Sequence, residues 1–331
     1  MGNLKPPFTE MEKGESIISA ALTVLVVLVA IGVQRQWSST ILGDMASSAE
    51  DFVLKTTGLR DAIPELPGNE TVRTFRLGRY TAGLYRPSPA PSVFADYHFI
   101  LFDNQNRPAF RTESIEASAM PWTTLYDFSD RRGLPAGRRR GHPEYRRDLT
   151  GDGSPDILLG QYSGGDHCCT TVTVIELGRD KARTIGQITG LDGLPFEGLD
   201  LRRFNRRGGW ELVAHRPYRT VCGLHADAAD VISLYAYEHG QFRDATRRFQ
   251  PFLARVLAEN LSRWKRARAR SLHLLQSIAV DYAATGKTAA GQQFFQQNVP
   301  LFYPQIKAAG DDPKACTQDV ANLVDSLQSN P

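Results

Sequence analysis

At 331 residues the chain is long enough for two domains, and its 41% hydrophobic content is that of an ordinary globular protein. The formal charge of +3, from 39 basic and 36 acidic residues, is too balanced to point to a nucleic-acid partner. Four cysteines in a chain of this size exclude a disulfide scaffold, although two bridges remain open.

In chain order, residues 1–15 read as a cytoplasmic amino terminus before an apolar segment, Ser16–Val33 (SIISAALTVLVVLVAIGV), which has no charge, Pro, Asn or Gln. Its 18 residues make a helix of about 27 Å, close to the ~30 Å hydrocarbon core of a bilayer. Eleven are Leu, Ile or Val, together favouring insertion by about 3–6 kcal/mol. A buried core helix would show a polar stripe, and this one is apolar all round. A cleaved signal peptide is the other alternative, but Gln34-Arg35-Gln36-Trp37 stands where small residues are needed, and Ser47-Ser48-Ala49 lies too far downstream. The expectation is a membrane anchor over 16–36, with Trp37 at the interface. Flanking charges do not orient it: Lys5 and Lys13 are offset by Glu10, Glu12 and Glu15, and Arg35, Lys55 and Arg60 follow.

Residues 37–71 read as a tether broken by Pro64 and Pro67, and 72–249 as a β-rich module. Tyr97–Phe102 is a strand, Asp103–Asn106 a turn and Pro108–Thr112 a return strand. Residues 129–147 hold seven arginines among Gly and Pro, a solvated loop or a contact for anionic lipid or polysaccharide.

The most informative stretch follows. Asp148, Thr150, Asp152, Ser154 and Asp156 place oxygen ligands at alternate positions around Gly153, which suits calcium's preference for six to eight oxygens. An EF-hand would need an acid where Leu159 stands. A metal-free Asp/Gly turn is the alternative. A weak calcium loop fills at extracellular but not cytosolic calcium, which sets the amino terminus inside and the bulk outside. The loop also opens an internal repeat. Residues 146–161 align without gaps to 201–216 at a spacing of 55, with Glu211 for Asp156 but Arg203 and Arg207 for Asp148 and Asp152. The second copy is expected to keep the turn and strand and lose the metal. Strands at Thr170–Leu177 and Val231–Tyr237, and a hairpin return at Gln241–Asp244, continue the two copies.

Asp166-His167-Cys168-Cys169 offers a nucleophile–base pair or part of a zinc site, with Cys222, His215 and His225 the nearest further ligands; the spacing fits no standard motif. A disulfide from Cys168 or Cys169 to Cys222 is the plainer expectation in an oxidising compartment, with Cys316 available for the remaining thiol. Helical periodicity fills 250–331: a stripe Phe252–Trp264, a second Leu272–Tyr282, a third helix over 288–297, and a fourth from Pro313 with Asp312 as N-cap. Gly286-Lys287-Thr288 lacks the upstream glycine of a phosphate loop and is an inter-helix turn; the basic run Arg263–Arg270 is a solvated or lipid-facing surface.

The loop Asp148–Asp156 running into Ile157-Leu-Leu-Gly-Gln-Tyr-Ser-Gly-Gly-Asp-His-Cys-Cys169 resembles the FG-GAP/VCBS-like repeats of bacterial envelope proteins, and most closely an uncharacterised branch carrying Tyr-Ser-Gly-Gly-x-His-Cys-Cys. The resemblance covers about residues 145–245; Thr150 stands where members carry Asn or Asp. It implies propeller-blade-like hairpins with calcium in the connecting loop, and no reaction. The reading is an α+β protein of a bacterial inner membrane, spanning once through Ser16–Val33. Its periplasmic bulk is non-catalytic and calcium-stabilised, and binds an envelope protein or glycan. The alternative is an envelope hydrolase using Asp166, His167 or His215.

Overall fold

The computed structural model describes residues 63–88, 97–112, 122–128, 144–164, 169–179, 181–191, 196–205, 208–218 and 222–329. The apolar segment Ser16–Val33, most of the tether, the arginine-rich stretch 129–143 and Asp166–Cys168 lie outside the described residues. No helix among the described residues is long and apolar enough to cross a membrane. The chain divides at Pro64, and everything below concerns the second unit, Glu65–Pro331.

Twelve described strands form three four-stranded sheets, each an antiparallel meander in chain order. The first holds β1 (Asn69–Leu77), β2 (Tyr80–Pro87), β3 (His98–Phe102) and β4 (Pro108–Arg111). The second holds β5 (Trp122–Leu125), β6 (Asp156–Tyr162), β7 (Thr170–Leu177) and β8 (Ala182–Leu191). The third holds β9 (Leu199–Arg202), β10 (Glu211–Tyr218), β11 (Ala229–Glu238) and β12 (Gln241–Asp244). With the helices that follow, this is the expected α+β class.

The sheets stack face to face, and the strand period of two says how. In β6, Ile157 and Leu159 pack toward the first sheet among Phe75, Leu84 and Phe99. Leu158 between them packs the other way, with Leu199, Leu212 and Ala214 of the third sheet. Both faces of the second sheet are therefore covered, which is why Asp156–Gln161 is buried throughout and its core reads as an apolar run. Each such Leu or Ile contributes about 1.5–3 kcal/mol of burial. The third sheet repeats the alternation: Leu212 and Ala214 face inward, while Val213, Ile232 and Leu234 pack on Phe252 and Leu253 of the first helix.

The helices are α1 (Gln250–Lys265), α2 (Leu272–Ala284), α3 (Thr288–Asn298), α4 (Tyr303–Ala308) and α5 (Pro313–Ser329). The hydroxyl of Ser271 caps α2 by accepting from Leu274 N–H at 3.1 Å. The carboxylate of Asp312 accepts from Lys314 and Ala315 N–H at 3.3 Å each, the cap expected from sequence. The central helix is α2, whose Leu275, Ile278 and Ala279 are fully buried among residues of the other four. The short α4 was not expected from sequence.

One covalent expectation is overturned. Cys222 bonds Cys316, not Cys168 or Cys169. Cys222 lies past β10 on the helical side of the third sheet, buried with Leu272 and Leu275 and with Cys316 itself, whereas Cys169 directly precedes β7 of the second sheet. Cys169 is itself disulfide-bonded.

Candidate functional site

The loop before β6 is built by its own carboxylates. Asp148 Oδ1 accepts from Gly151 N–H at 2.6 Å and from the Thr150 hydroxyl at 3.3 Å, and Oδ2 accepts from Gly153 N–H at 3.0 Å. Gly151 and Gly153 permit this wrap, with φ of 81° and 88°. Asp152 Oδ1 accepts from Ser154 N–H at 2.7 Å. Asp156 is wholly buried; its Oδ2 accepts from Leu149 and Thr150 N–H at 2.7 and 3.2 Å, and its Oδ1 has no partner among the described residues. Burial pushes the Asp156 carboxyl up to about 7; the two amide bonds pull it down, and Asp152 and Asp148 push it further up.

These residues fit a calcium ion in kind: hard oxygens, three carboxylates of one sign brought near each other, and one buried carboxylate oxygen left unsatisfied. They are not drawn into a ready cage, since among the described residues no three His, Cys, Asp or Glu side chains are grouped closely enough to hold a metal.

The 55-residue repeat is visible in the hydrogen bonding. Arg147 bridges Asp156 as Arg202 pairs with Glu211. Leu149 N–H donates to the Asp156 carboxylate, and Phe204 N–H donates to that of Glu211 at 3.0 Å. The two loops also meet: Trp210 N–H donates to Leu149 O at 2.6 Å, and a Cβ on Gly209 would lie 2.3 Å from that same carbonyl. Gly209→Ala is therefore expected to destabilise by about 1–3 kcal/mol, seen as a lower melting temperature. An unchanged melt would mean that the two loops part without penalty.

A second site lies between the third sheet and the first two helices. It is a cavity of about 480 Å³ lined from β9, β10, β11, α1 and α2. Helical spacing explains the helix wall: Phe252, Arg255, Val256, Glu259, Asn260 and Arg263 recur every three or four residues along one face of α1, and Leu274, Ser277 and Asp281 do so on α2. Strand alternation explains the sheet wall. His215 pairs with Ile232, and Asp230, two residues away, faces the same side.

The polar contacts are specific. His215 Nδ1 meets Asp230 Oδ2 at 2.9 Å, and its Nε2 lies 3.9 Å from Asp200 Oδ2. The Asp230 hydrogen bond raises the His215 pKa above its ordinary value; burial opposes this, the Asp230 and Asp200 charges add to it, and Arg202 opposes. Asp230 N–H donates to the Ser277 hydroxyl at 3.0 Å. Asp281, only 6% exposed, accepts from Asn260 Nδ2 at 2.8 Å. Burial pushes its carboxyl up to about 7, against the Asn260 bond. At the mouth, the guanidinium carbons of Arg202 and Arg255 lie 5.0 and 5.5 Å from the Phe252 ring centre, a cation–π distance.

Of the residues named for the hydrolase alternative, His215 lies in this cavity, and Asp166 and His167 are outside the described residues. Sequence reasoning missed Asp230, Asn260 and Asp281. A signal existed for the last: Asp281 is the one acid in the mainly apolar Leu272–Ala284, and it is buried. No protein-family model, no curated protein and no solved structure matches the chain.

Proposed function

We propose that the chain is a single-pass membrane protein whose β-rich module and helices lie outside the cytoplasm. Calcium in the Asp148–Asp156 loop holds the module together, and it binds a small polar ligand without catalysis. The observation that carries the binding reading is the cavity on the third sheet. Its volume of about 480 Å³ falls within the ~300–1,000 Å³ of small-molecule sites and suits a glycan fragment better than a protein surface. It stands on paired strands and two packed helices, a rigid support for polar groups. The buried Cys222–Cys316 bridge supports an oxidising, extracytoplasmic setting. The apolar Ser16–Val33 supports the anchor.

Binding is tested by thermal shift of the detergent-solubilised full chain against a panel of envelope glycan fragments. A shift abolished by Val256→Trp, which fills the cavity from α1, supports the reading; Arg255→Glu serves if that variant fails to fold. Shifts untouched by either variant would remove the cavity from consideration. Product analysis of the same mixtures separates the hydrolase reading, in which His215→Gln abolishes turnover. Binding alone is favoured because, among the described residues, both ring nitrogens of His215 face carboxylates, Asp230 at 2.9 Å and Asp200 at 3.9 Å, which holds the imidazole in ion pairing.

The calcium loop carries its own expectation. The chemistry the ion would supply is charge neutralisation at Asp148, Asp152 and Asp156. Saturating calcium at a hundredfold excess over its dissociation constant is expected to stabilise by about 2.7 kcal/mol, and chelator to reverse this. Asp152 is exposed and makes only a local turn contact, so Asp152→Ala should leave the fold intact and erase the response. A melting temperature indifferent to chelator leaves a metal-free turn.

A further inference from the structure

The cavity's chemistry is divided by depth, and the division names a ligand class. We infer that the cavity on the third sheet takes a small hydroxylated anion, an acidic sugar or a sugar phosphate, with its negative group at the arginine mouth and its hydroxyls on the carboxyl and amide groups within. The inference rests on the cavity being the binding site and goes further by assigning what enters it.

Among the described residues, the mouth has cationic donors that make ion pairs but no side-chain hydrogen bonds. Arg202 and Arg255 side chains are 43% and 60% exposed. Their nearest carboxylates, Asp200 and Glu259, stand at 3.6 and 3.8 Å, beyond a hydrogen bond. Each guanidinium carries five N–H donors in a flat fork that matches a carboxylate or phosphate. Both sit against Phe252, which limits the ways they can turn. A third, Arg263, also lines the cavity and donates to Asn260 Oδ1 at 3.1 Å.

The interior offers both donors and acceptors. Asp230 and Asp281 each spend one carboxylate oxygen, on His215 and on Asn260, and each keeps further lone pairs. Hydroxyl groups serve such a mixed lining well, because each both gives and takes a hydrogen bond. The formal count of the lining is three arginines against Asp230, Glu259 and Asp281. The raised carboxyl of Asp281 and the raised imidazole of His215 both tip that count toward positive charge near neutrality. An apolar ligand would leave these groups dry and unpaired, which is costly. A neutral sugar would leave the arginine forks without an anion.

The test is isothermal titration of the full chain in detergent with glucuronate, glucose 6-phosphate, glucose and inorganic phosphate. Glucuronate or glucose 6-phosphate is expected to bind about tenfold or more tighter than glucose and than phosphate alone, since a charge-assisted fork is worth that factor or more. Which of the two binds tighter separates an acidic sugar from a sugar phosphate. Arg202→Gln and Arg255→Gln are each expected to weaken the charged sugar about tenfold and leave glucose unchanged. Both residues are exposed, so the fold should survive, and circular dichroism checks that. Glucose binding as tightly as the charged sugars, with Val256→Trp abolishing both, overturns the anion assignment and spares the site. No binding by any probe, or binding that Val256→Trp leaves intact, overturns both.

Discussion

Replacing Cys222 and Cys316 together with alanine is expected to lower the stability of the folded chain by about 2–5 kcal/mol, the usual range for a lost native bridge. The bridge spans 94 residues. In the chain-entropy account, closing a loop of that length confines the unfolded chain by about 4–5 kcal/mol. Both sulfurs are wholly buried, so alanine also leaves small voids, which adds to the loss. The bond joins the segment after β10 to the first turns of α5, and a polar clamp surrounds it. Gly223 N–H donates to Asp311 Oδ2 at 2.7 Å, Gln276 Nε2 to Asp227 O at 2.5 Å, and Gln305 Nε2 to the Asp227 carboxylate at 2.9 and 3.0 Å. Those bonds hold the reduced chain near its native path. The loss should therefore be graded: amide exchange accelerates first in α5 and residues 222–229, while β6 and β7, covered on both faces, keep their protection. Denaturant melts of the double variant give the magnitude. An unchanged midpoint would falsify the view that this bridge, rather than helix packing, secures the last helix.

Much of the architecture was legible from residue pattern. Alternation marked β3, β7 and β11, the 3.6-residue stripe marked α1 and α2, and Asp312 marked the start of α5. The 55-residue repeat was legible as an alignment, and the structure carries it down to single hydrogen bonds, because Asp156 and Glu211 cap equivalent amides. The disulfide was not. The repeat equated the loops after β6 and β10, but no local signal says on which face of a sheet a loop falls, and Cys222 falls on the helical side. The cavity was not legible either. His215, Asp230, Asn260 and Asp281 come from four elements, and only the packing of α1 and α2 on the third sheet brings them together. On α1 the same stripe that seats Phe252 and Val256 carries Arg255, Glu259 and Arg263, so periodicity alone reads that face as amphipathic and says nothing of a binding wall.

Asp281→Asn is expected to make the protein more stable than the parent at about pH 8 and leave it level with the parent near pH 4. Asp281 is buried on α2, and burial lifts its carboxyl from 3.8 to about 7 in the folded state. A raised folded pKa means that the neutral acid is the form the fold prefers. Its contribution is complete below 3.8 and is lost as pH rises through about 7. At ~1.36 kcal/mol per pH unit, that interval bounds the loss at about 4 kcal/mol. The asparagine keeps the essential contact, since its amide oxygen still accepts from Asn260, and it has no proton to lose. The groups facing Asp281 act in known directions: Asp230 raises its pKa and His215 lowers it. His215, itself raised above 6.5, loses its own contribution only above that value, so a residual slope in the alkaline half should persist in the variant and vanish in His215→Gln. Because the difference between parent and variant is read at each pH, the loop carboxylates cancel. A difference that grows from near zero at pH 4 to about 2–4 kcal/mol at pH 8 places an uncharged acid in the cavity at mildly acidic pH. A difference constant with pH would mean that Asp281 is ionised and paired throughout, which leaves the three arginines of the lining matched by Asp230, Glu259 and Asp281.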